Sequence, residues 1–381
     1  MSSIISEENK ELKVGLFINT MTPYKIPLIN ALAQSSGINL KVYSYIKTEK
    51  NREWIIRFNT LKAEHKVLYG FSIKKFHFNP LVPLLILKER FDVIIVGTYI
   101  YPAAWLAVLT AKILGIRVIS RVGTTIYSEK NTAGKHLTSL LKNIYFRFCD
   151  FFLAYGKASK HYLELYGVSY KKIICEGNTV DVDYFIKTSE NINEDKNQSE
   201  INLLYVGRLL KWKGVIELLD AFYLSLKNTN NIRLTLLGNG PLQEYVEAFI
   251  KEKNIEKYVI MHGYIQQDHI SYFYKNSDVF VFPSFRDPWG LVVNEAMCFS
   301  LPVIVSKFAG CAIDLLKDNY NGYIIDPTNV HVFADKIVKL ACAPDLRKKM
   351  GNNSKKIIRN YDNQNALNRY REVISLAQSM H

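Results

Sequence analysis

Short apolar runs alternate with helical stretches along the whole sequence, and each run has the length of one β-strand. In the first half they include Lys13–Asn19, Asp92–Gly97 and Phe151–Ala154, and candidate helices lie over Ile26–Gln34 and Pro102–Leu114. Continuous Val, Ile and Leu runs of this kind are typical of parallel strands that are buried on both faces. Strands that alternate with helices form βαβ units, so the sequence predicts a doubly wound α/β fold.

The alternation is interrupted once, by a polar and acidic stretch over residues 186–200 that has no periodicity. We predict an N-terminal domain over 1–185, a linker over 186–200, a C-terminal domain over 201–364 and a last helix over 365–381. Packing back on the N-terminal domain is one arrangement open to that helix. A chain of 381 residues suits two domains. The other predicted strands are Leu40–Tyr45, Arg117–Arg121, Lys172–Cys175, Asn202–Gly207, Ile232–Gly238, Val259–Gly263, Asp278–Pro283 and Pro302–Ser306.

The composition excludes several classes of protein. With 48% hydrophobic residues, the chain can bury full cores and is not disordered. Its five cysteines are scattered and show no CxxC spacing, which indicates a reducing compartment and no structural zinc. The N-terminus lacks the pattern of a secretory signal, and the longest apolar runs are shorter than the roughly 18 residues of a spanning helix. We expect a cytoplasmic protein, either soluble or peripheral on the inner face of the plasma membrane.

The positive charge is concentrated in the first half of the chain. Residues 1–180 contain 25 Lys and Arg against 12 Asp and Glu, a net charge of +13, whereas the other 201 residues have 24 against 23. This asymmetry indicates an anionic partner, and the candidates are nucleic acid, a membrane surface and a phosphorylated substrate. The alternative is a solvated basic face that binds no partner. Phe71–Phe91 and His136–Phe152 mix cations with apolar residues. They suit either a surface on anionic lipid or helices packed on their own sheet.

The most informative motif, PSFRDPWGLVVNEA, begins at Pro283, directly after a predicted strand, and opens a helix near Gly290. The start of a helix presents free N–H groups and the positive end of its dipole, so it suits a phosphate. Asp287 and Glu295 bracket this turn with seven residues between them, and both carboxylates could reach the hydroxyls of one sugar nucleotide. That spacing recurs by chance, so the Pro-Trp-Gly turn supplies the specificity.

A second motif, VGRLLKWKG, covers Val206–Gly214 and also follows a strand. Its cations, Arg208 and Lys213, are expected to point from the end of the strand into a cleft. Two cations on one loop suit a diphosphate leaving group, because negative charge builds up on that group as its bond breaks. Two ordinary surface cations are the alternative for any single Arg and Lys pair.

With these two motifs, the sequence resembles retaining glycosyltransferases of glycosyltransferase family 4. The family has an acidic residue and a Glu with seven residues between them, as at Asp287 and Glu295. It also has a Gly-Arg-Leu sequence followed by Lys-Gly, as in Gly207–Gly214. Further matches lie at Gly177–Phe185, Gly238–Pro241, Ser277–Ser284 and Leu301–Ser306. The resemblance implies the GT-B fold, in which two doubly wound Rossmann-like domains face each other across a cleft. The N-terminal half matches only in its strand pattern.

The resemblance also implies a donor and its binding residues. The donor would be a nucleotide-diphosphate sugar, with UDP favoured over GDP, and neither a metal nor another cofactor would be required. Arg208 and Lys213 would hold the diphosphate, Asp287 would approach the transferred sugar and Glu295 would bind the ribose. The backbone around Gly207, Gly290, Leu291 and Val292 and the turn at Gly263 and Tyr264 would complete the donor site.

The acceptor site is expected in the N-terminal half. A saccharide or a lipid-phosphate-linked acceptor would be bound there, as in the synthesis of a surface polysaccharide or glycolipid. The candidate acceptor residues are Arg121, Thr124 and Tyr24, with an ordinary structural arginine as the alternative for Arg121. Arg52 and Trp54 could also touch an acceptor, although most such residues only pack.

Parts of the sequence are compatible with three other interpretations. A sugar-nucleotide 2-epimerase on the same fold would convert the donor alone. A nucleic-acid-binding protein would explain the charge, but the sequence shows no RNA- or DNA-binding motif, so we expect no nucleic acid partner. Asp181 and Asp183 imitate a DxD metal motif, but their position favours a turn or a helix cap.

Overall fold

Two parallel β-sheets organise the molecule. The computed structural model describes residues 11–48, 55–73, 76–129, 135–196 and 199–379. Seven strands form the first sheet and six form the second, and a short hairpin accompanies the first. The predicted class, two doubly wound α/β domains, is confirmed.

The N-terminal sheet contains mainly β-branched and aromatic residues. Its strand order is β3-β2-β1-β6-β7-β8-β9, and β4 and β5 form the separate hairpin. The sheet is buried on both faces, which explains why a strand such as VIIV has no polar position. The strands are β1 (Leu12–Ile18), β2 (Ile38–Ser44), β3 (Glu64–Val67), β4 (Phe71–Ile73), β5 (Phe76–Phe78), β6 (Val93–Val96), β7 (Arg117–Val122), β8 (Phe151–Ala154) and β9 (Ile173–Cys175).

Helices cover both faces of this sheet. The helices of the first half are α1 (Ile26–Ala33), α2 (Val82–Glu89), α3 (Pro102–Ile113), α4 (Lys135–Arg147), α5 (Lys157–Leu165) and α6 (Val182–Asn191). Helices α2, α3, α4 and α5 share one core with the sheet. Helix α1 packs in a second core on the opposite face.

The C-terminal sheet repeats this plan with the strand order β12-β11-β10-β13-β14-β15. Its strands are β10 (Ile201–Val206), β11 (Ile232–Leu237), β12 (Val259–Gly263), β13 (Val279–Phe282), β14 (Val303–Ser306) and β15 (Gly322–Ile325). Its helices, together with the last helix of the chain, are α7 (Val215–Ser225), α8 (Gln243–Glu252), α9 (Gln267–Lys275), α10 (Leu291–Cys298), α11 (Ala312–Leu315), α12 (Val330–Cys342), α13 (Pro344–Ile358) and α14 (Asn363–Gln378). Helices α7, α8 and α12 pack on one face, and α6, α9, α10 and α11 on the other.

The chain crosses between the two units earlier than the predicted linker. The backbone N–H of Asn178 still bonds within the N-terminal unit, to the carbonyl of Tyr155. Val180, Phe185 and Ile186 already belong to the C-terminal core. The first residues of the polar stretch therefore form the last turns of α6. The apolar side chains that anchor this helix lie in its first half, up to the first residue of the polar stretch.

The last helix, α14, returns to the N-terminal unit. Its apolar side packs with α1 against the N-terminal sheet through Leu367, Tyr370, Val373, Ile374 and Ala377. The N-terminal core is therefore completed by the end of the chain, and the two units are connected twice. Across the described residues, no helix combines the length and apolar character needed to cross a membrane.

The two units also meet directly. Asp314 accepts a hydrogen bond from the backbone N–H of Lys157, at the first turn of α5, with an N–O distance of 2.9 Å. Next to it, Gly156 lies so close to the ring of Trp289 that a Cβ atom there would be 2.4 Å from the ring. Only glycine fits this position, so the contact fixes how closely the units approach each other.

We expect Ile374→Ala to lower the free energy of unfolding by about 2–5 kcal/mol, because it leaves a cavity in the core that α14 completes. The matched control is Leu376→Ala on the same helix, where 39% of the side chain is exposed. Urea denaturation followed by circular dichroism measures both variants. Equal destabilisation by the two substitutions would contradict the packing of α14 described above.

Candidate active site

Four loops of the C-terminal unit meet at one edge of its sheet. Strands β12, β11, β10 and β13 are consecutive neighbours and run parallel, so their carboxyl ends lie side by side. The loops that leave them cover residues 207–214, 238–242, 264–266 and 283–290. In open α/β sheets, ligands bind at this edge. Both motifs found in the sequence lie on these loops.

A cavity of about 540 Å³ opens between these loops and the N-terminal unit. Its volume is in the range of small-molecule sites. The N-terminal unit contributes Pro23 and Tyr24, from the loop after β1. The C-terminal unit contributes Val206, Gly207, Arg208, Leu237, Gly238, Asn239, Gly240, Pro241, Tyr264, Ile265, Gln267, Ile270, Val292 and Glu295.

Glycines allow the loops to pack this closely. Gly238 has a φ of +127°, and a Cβ atom there would be 2.1 Å from the carbonyl oxygen of Gly207. A Cβ on Gly240 would be 2.3 Å from the carbonyl oxygen of Leu209. Neither position accepts a side chain without moving the loop that carries Arg208. In the sequence, Gly238–Pro241 is only one of the matches that carry the family resemblance, whereas in the structure it is part of the cavity wall.

Lys213 and Asp287 form an ion pair between the two motif loops. The Nζ atom of Lys213 is 2.5 Å from Oδ2 of Asp287, and less than a fifth of either side chain is exposed. The ammonium group also lies 5.4 Å from the centre of the Phe282 ring. Gly214, with a φ of +72°, turns the chain into α7 directly after the lysine. The two predicted residues therefore neutralise each other's charge.

Arg208 differs from Lys213. It lines the cavity and is half-buried, and within the described residues no carboxylate pairs with its guanidinium group. The carbonyl of Arg208 accepts a hydrogen bond from the hydroxyl of Tyr205 at 3.0 Å, which fixes the backbone of this loop. A half-buried cation without a counter-charge favours an anionic ligand.

The turn that begins α10 is held by a series of hydrogen bonds. Oδ1 of Asp287 accepts from the backbone N–H of Trp289 at 3.1 Å, and the indole N–H donates to Asn294 at 2.9 Å. Asn294 in turn donates to the carbonyl of Asn178, at the crossover between the units. Gly290, with a φ of +106°, is the N-cap residue of α10, and no side chain caps this end of the helix within the described residues. The N-terminus of α10 is therefore positioned beside the Lys213–Asp287 pair.

Glu295 lies on α10 and faces the cavity. Oε2 accepts a hydrogen bond from the hydroxyl of Tyr274 at 2.7 Å. Burial raises the pKa of Glu295 to about 7, although the bond from Tyr274 lowers it. Tyr274 belongs to no recognisable sequence motif and was therefore not predicted. Its distance from Glu295 along the chain does not indicate the contact, because α9 and α10 come together only in the folded structure.

The remaining predicted donor residues lie close to these groups. Gly207, Tyr264 and Val292 are in the cavity wall. Gly263 and Leu291 each precede a wall residue in the chain, and Gly263 has a φ of +69° that only glycine adopts readily.

Two of the three predicted acceptor residues, Tyr24 and Arg121, line a second and smaller cavity of about 30 Å³, whereas Thr124 does not. Tyr24 lines the donor cavity, while the Thr124 hydroxyl is 2.8 Å from that of Tyr99. Arg121 is buried and donates to Glu176, Tyr155 and Asn178 at 2.9–3.0 Å. This placement favours the structural role of Arg121 over a contact with an acceptor, since its donors already have partners. Arg52 and Trp54 lie outside the described residues.

Asp181 acts as the N-cap of α6. Its side chain accepts a hydrogen bond from the backbone N–H of Tyr184 at 3.1 Å. The predicted capping role is therefore confirmed for Asp181, and Asp183 lies in the first turn of the helix. In the part of the chain that the structure covers, no cluster of three or more His, Cys, Asp or Glu side chains could hold a metal ion.

We expect the thermal midpoint of the wild type to fall, relative to that of Glu295→Gln, as the pH rises from 5 to 8. The folded state binds the Glu295 proton more tightly than the unfolded chain, whose carboxyl has an ordinary pKa near 4.5. The stabilisation from the protonated group is thus complete below about 4.5 and is lost as the pH rises through about 7. Differential scanning fluorimetry across this pH range measures it.

Glu244→Gln, at an exposed position on α8, controls for the loss of a carboxylate as such. A difference between wild type and Glu295→Gln that stays constant with pH would show that Glu295 does not titrate in this range.

The residues that the C-terminal unit contributes to this site lie in a region that is similar to a known protein family. A sequence model of the family described as "Glycosyl transferases group 1" matches residues 186–357. The capsular polysaccharide biosynthesis glycosyltransferase CapM of Staphylococcus aureus is 29% identical over 197 residues, which are 51% of this chain and 48% of that protein. An uncharacterized glycosyltransferase of Methanocaldococcus jannaschii is 30% identical over 190 residues, 49% of this chain and 48% of the relative. The matched region thus spans about half the length of these relatives.

Solved structures share the whole fold. The HepE protein of Anabaena in complex with UDP superposes with a TM-score of 0.76, at 18% identity, over 96% of this chain and 100% of that one. The lipopolysaccharide outer core galactosyltransferase WaaB superposes with a TM-score of 0.74, at 18% identity, over 96% and 99%. The family resemblance drawn from the C-terminal motifs is confirmed over residues 186–357, which match the model of the group 1 glycosyl transferases, and the whole chain has the two-domain GT-B fold.

Proposed function

We propose that this protein transfers a sugar from a nucleotide-diphosphate donor to a hydroxyl group of a saccharide or lipid-linked acceptor. The observation that carries this proposal is the cavity between the two units: Arg208 lines it, and within the described residues no carboxylate pairs with this arginine. The Lys213–Asp287 pair joins the loop of Arg208 to the other motif loop. A ligand for this cavity needs negative charge, hydroxyl groups and an apolar portion. A sugar nucleotide has all three.

Each part of such a donor has a counterpart in the site. Arg208, Lys213 and the N-terminus of α10 bind the diphosphate, since two cations and a helix start favour phosphate oxygens. Glu295 accepts hydrogen bonds from the ribose hydroxyls. Tyr264 and its neighbours in the cavity wall contact the base.

The Lys213–Asp287 pair gives both partners a role in transfer. When the diphosphate enters, Lys213 exchanges its carboxylate partner for a phosphate oxygen, and Asp287 becomes free to accept hydrogen bonds from the sugar. The bond between the anomeric carbon and the β-phosphate oxygen then breaks, and its electron pair stays on the diphosphate. The two cations stabilise this developing charge, so the reaction proceeds without a metal.

The acceptor hydroxyl attacks the anomeric carbon from the face that the diphosphate leaves. Its proton passes to a phosphate oxygen of the leaving group, and the anomeric configuration is retained. No side chain is required as a base in this scheme. The family resemblance, not the residues of the site, is the ground for proposing retention.

The named relatives guide the choice of donor and pathway. UDP is the favoured nucleotide, because a structural neighbour was solved with UDP. Relatives and neighbours are named for the synthesis of capsule and of lipopolysaccharide. We therefore propose a role in building a surface polysaccharide or glycolipid from a hexose-type donor, in the cytoplasm, on the inner face of the plasma membrane.

We expect one nucleoside diphosphate among UDP, GDP, CDP, ADP and dTDP to raise the thermal midpoint with EDTA present, and expect it to be UDP. A ligand at 100 times its dissociation constant stabilises the fold by about 2.7 kcal/mol. Lys213→Ala should remove most of the shift, because it removes one of the two phosphate-binding cations. Lys211→Ala is the matched control, since Lys211 lies on the same turn but is exposed.

Two results would contradict the proposal. The first is the absence of any nucleotide shift in the wild type. The second is turnover of a UDP-sugar series without acceptor to an epimerised donor, detected by NMR, because this identifies an epimerase rather than a transferase. Equal shifts in Lys213→Ala and Lys211→Ala would show instead that the ion-paired lysine does not meet the diphosphate.

A further inference from the structure

Tyr274 brings a hydroxyl group into an apolar core. Its side chain is fully buried on α9, and its ring contacts those of Phe280, on β13, and Phe299, directly after α10, at centroid distances of 5.9 Å and 5.5 Å. A phenylalanine would fill the same space. Because a buried hydroxyl without a partner costs free energy, a tyrosine at this position needs a defined hydrogen-bond partner.

The hydroxyl of Tyr274 finds that partner on α10. It donates to Oε2 of Glu295 at 2.7 Å, and its oxygen lies 3.4 Å from the carbonyl oxygen of Val292, one turn earlier on the same helix. The ring is held by the two phenylalanine rings, so the core fixes the position of the hydroxyl. The core of the C-terminal unit therefore determines where Oε2 of Glu295 lies.

The other carboxylate oxygen of Glu295 is available to a ligand. Glu295 lines the cavity, and among the described residues no group donates a hydrogen bond to Oε1. Ile270, one turn before Tyr274 on α9, also lines the cavity. The same helix thus borders the ligand and anchors the carboxylate. A polar group that is held in place before the ligand arrives discriminates strongly between ligands with and without a matching hydroxyl.

A pair of neighbouring hydroxyls is the ligand group that suits this carboxylate. An ionised carboxylate has two acceptor oxygens with about four lone-pair sites, so Oε2 can accept a second hydrogen bond beside that from Tyr274. In the proposed donor, the ribose supplies such a pair at its 2′ and 3′ positions. Without the anchor, the Glu295 side chain would gain rotamers, and ordering it on binding would cost free energy.

We propose that Tyr274 is a positioning residue for the ribose of the donor: by fixing Oε2 of Glu295, it holds the carboxylate in the orientation that accepts hydrogen bonds from both ribose hydroxyls. The site thereby selects ribonucleotides over nucleotides that lack these hydroxyls. The inference rests on the proposed transfer function, which supplies the ribose. It concerns binding alone and is tested without a transferable sugar or an acceptor.

The test is isothermal titration calorimetry of the full chain with UDP and with 2′,3′-dideoxy-UDP, which keeps the base and the diphosphate. We expect the wild type to bind dideoxy-UDP about a hundredfold more weakly than UDP, because it loses two hydrogen bonds to a charged group. Tyr274→Phe should weaken UDP binding about tenfold and change dideoxy-UDP binding by less than about twofold. Tyr323→Phe is the matched control, since Tyr323 is also fully buried but lies in the core on the other face of the same sheet.

A double-mutant cycle separates positioning from a general structural role. Glu295→Ala removes the carboxylate on which Tyr274 acts. Adding Tyr274→Phe to this variant should therefore change UDP binding by less than about twofold, whereas two independent structural effects would add. The thermal midpoint of each variant is measured in parallel and shows whether it is folded.

Three outcomes overturn the proposal. Equal weakening of UDP and dideoxy-UDP by Tyr274→Phe would assign the tyrosine a structural role only. Unchanged UDP binding in Tyr274→Phe would show that Glu295 needs no anchor, and an additive effect in the Glu295→Ala background would show that the tyrosine acts through another group. The proposed transfer function fails differently: in that case neither ligand binds the wild type at all.

Discussion

The Asp287 carboxylate is the group on which the organisation of the site depends. One oxygen pairs with Lys213, and the other fixes the backbone of Trp289. From Trp289 the hydrogen bonds continue through Asn294 to the carbonyl of Asn178, where the chain crosses between the units. A change in the partner of Lys213 therefore acts on a residue that is connected to the interface. The ion pair between the two motif loops and the crossover between the units therefore belong to one series of hydrogen bonds.

In the proposed reaction, the two cations differ in what they lose when a donor enters. Lys213 gives up the Asp287 carboxylate at 2.5 Å, whereas Arg208 has no such partner in the described part of the chain. Both cations then bind the diphosphate, and Lys213 and Asp287 change partners together. Under this proposal, the exchange places the carboxylate beside the sugar only when a diphosphate is present.

The sequence predicted the parts of this molecule that depend on local pattern. The buried strands end within a residue or two of their predicted limits, as at Val259–Gly263, because burial on both faces leaves an unbroken apolar run. The partners of Glu295 and Arg121 were not predictable, since Tyr274 and Glu176 reach them only through tertiary packing. The start of α6 was missed for a related reason: its apolar residues precede the polar stretch that dominates the pattern.

The direction of α4 could not be predicted from charge and periodicity. A net charge of +13 over residues 1–180 is compatible with many partners, and an amphipathic pattern over residues 135–147 is compatible with a helix that packs inward. In the structure, Lys142 is ion-paired with Glu129 on the side of α4 that faces the protein, and Tyr145 and Phe146 belong to the N-terminal core. The aliphatic side chains left exposed are those of Leu137, Leu140, Leu141 and Ile144. Periodicity gives the width of an apolar stripe but not its direction, because the direction depends on tertiary contacts.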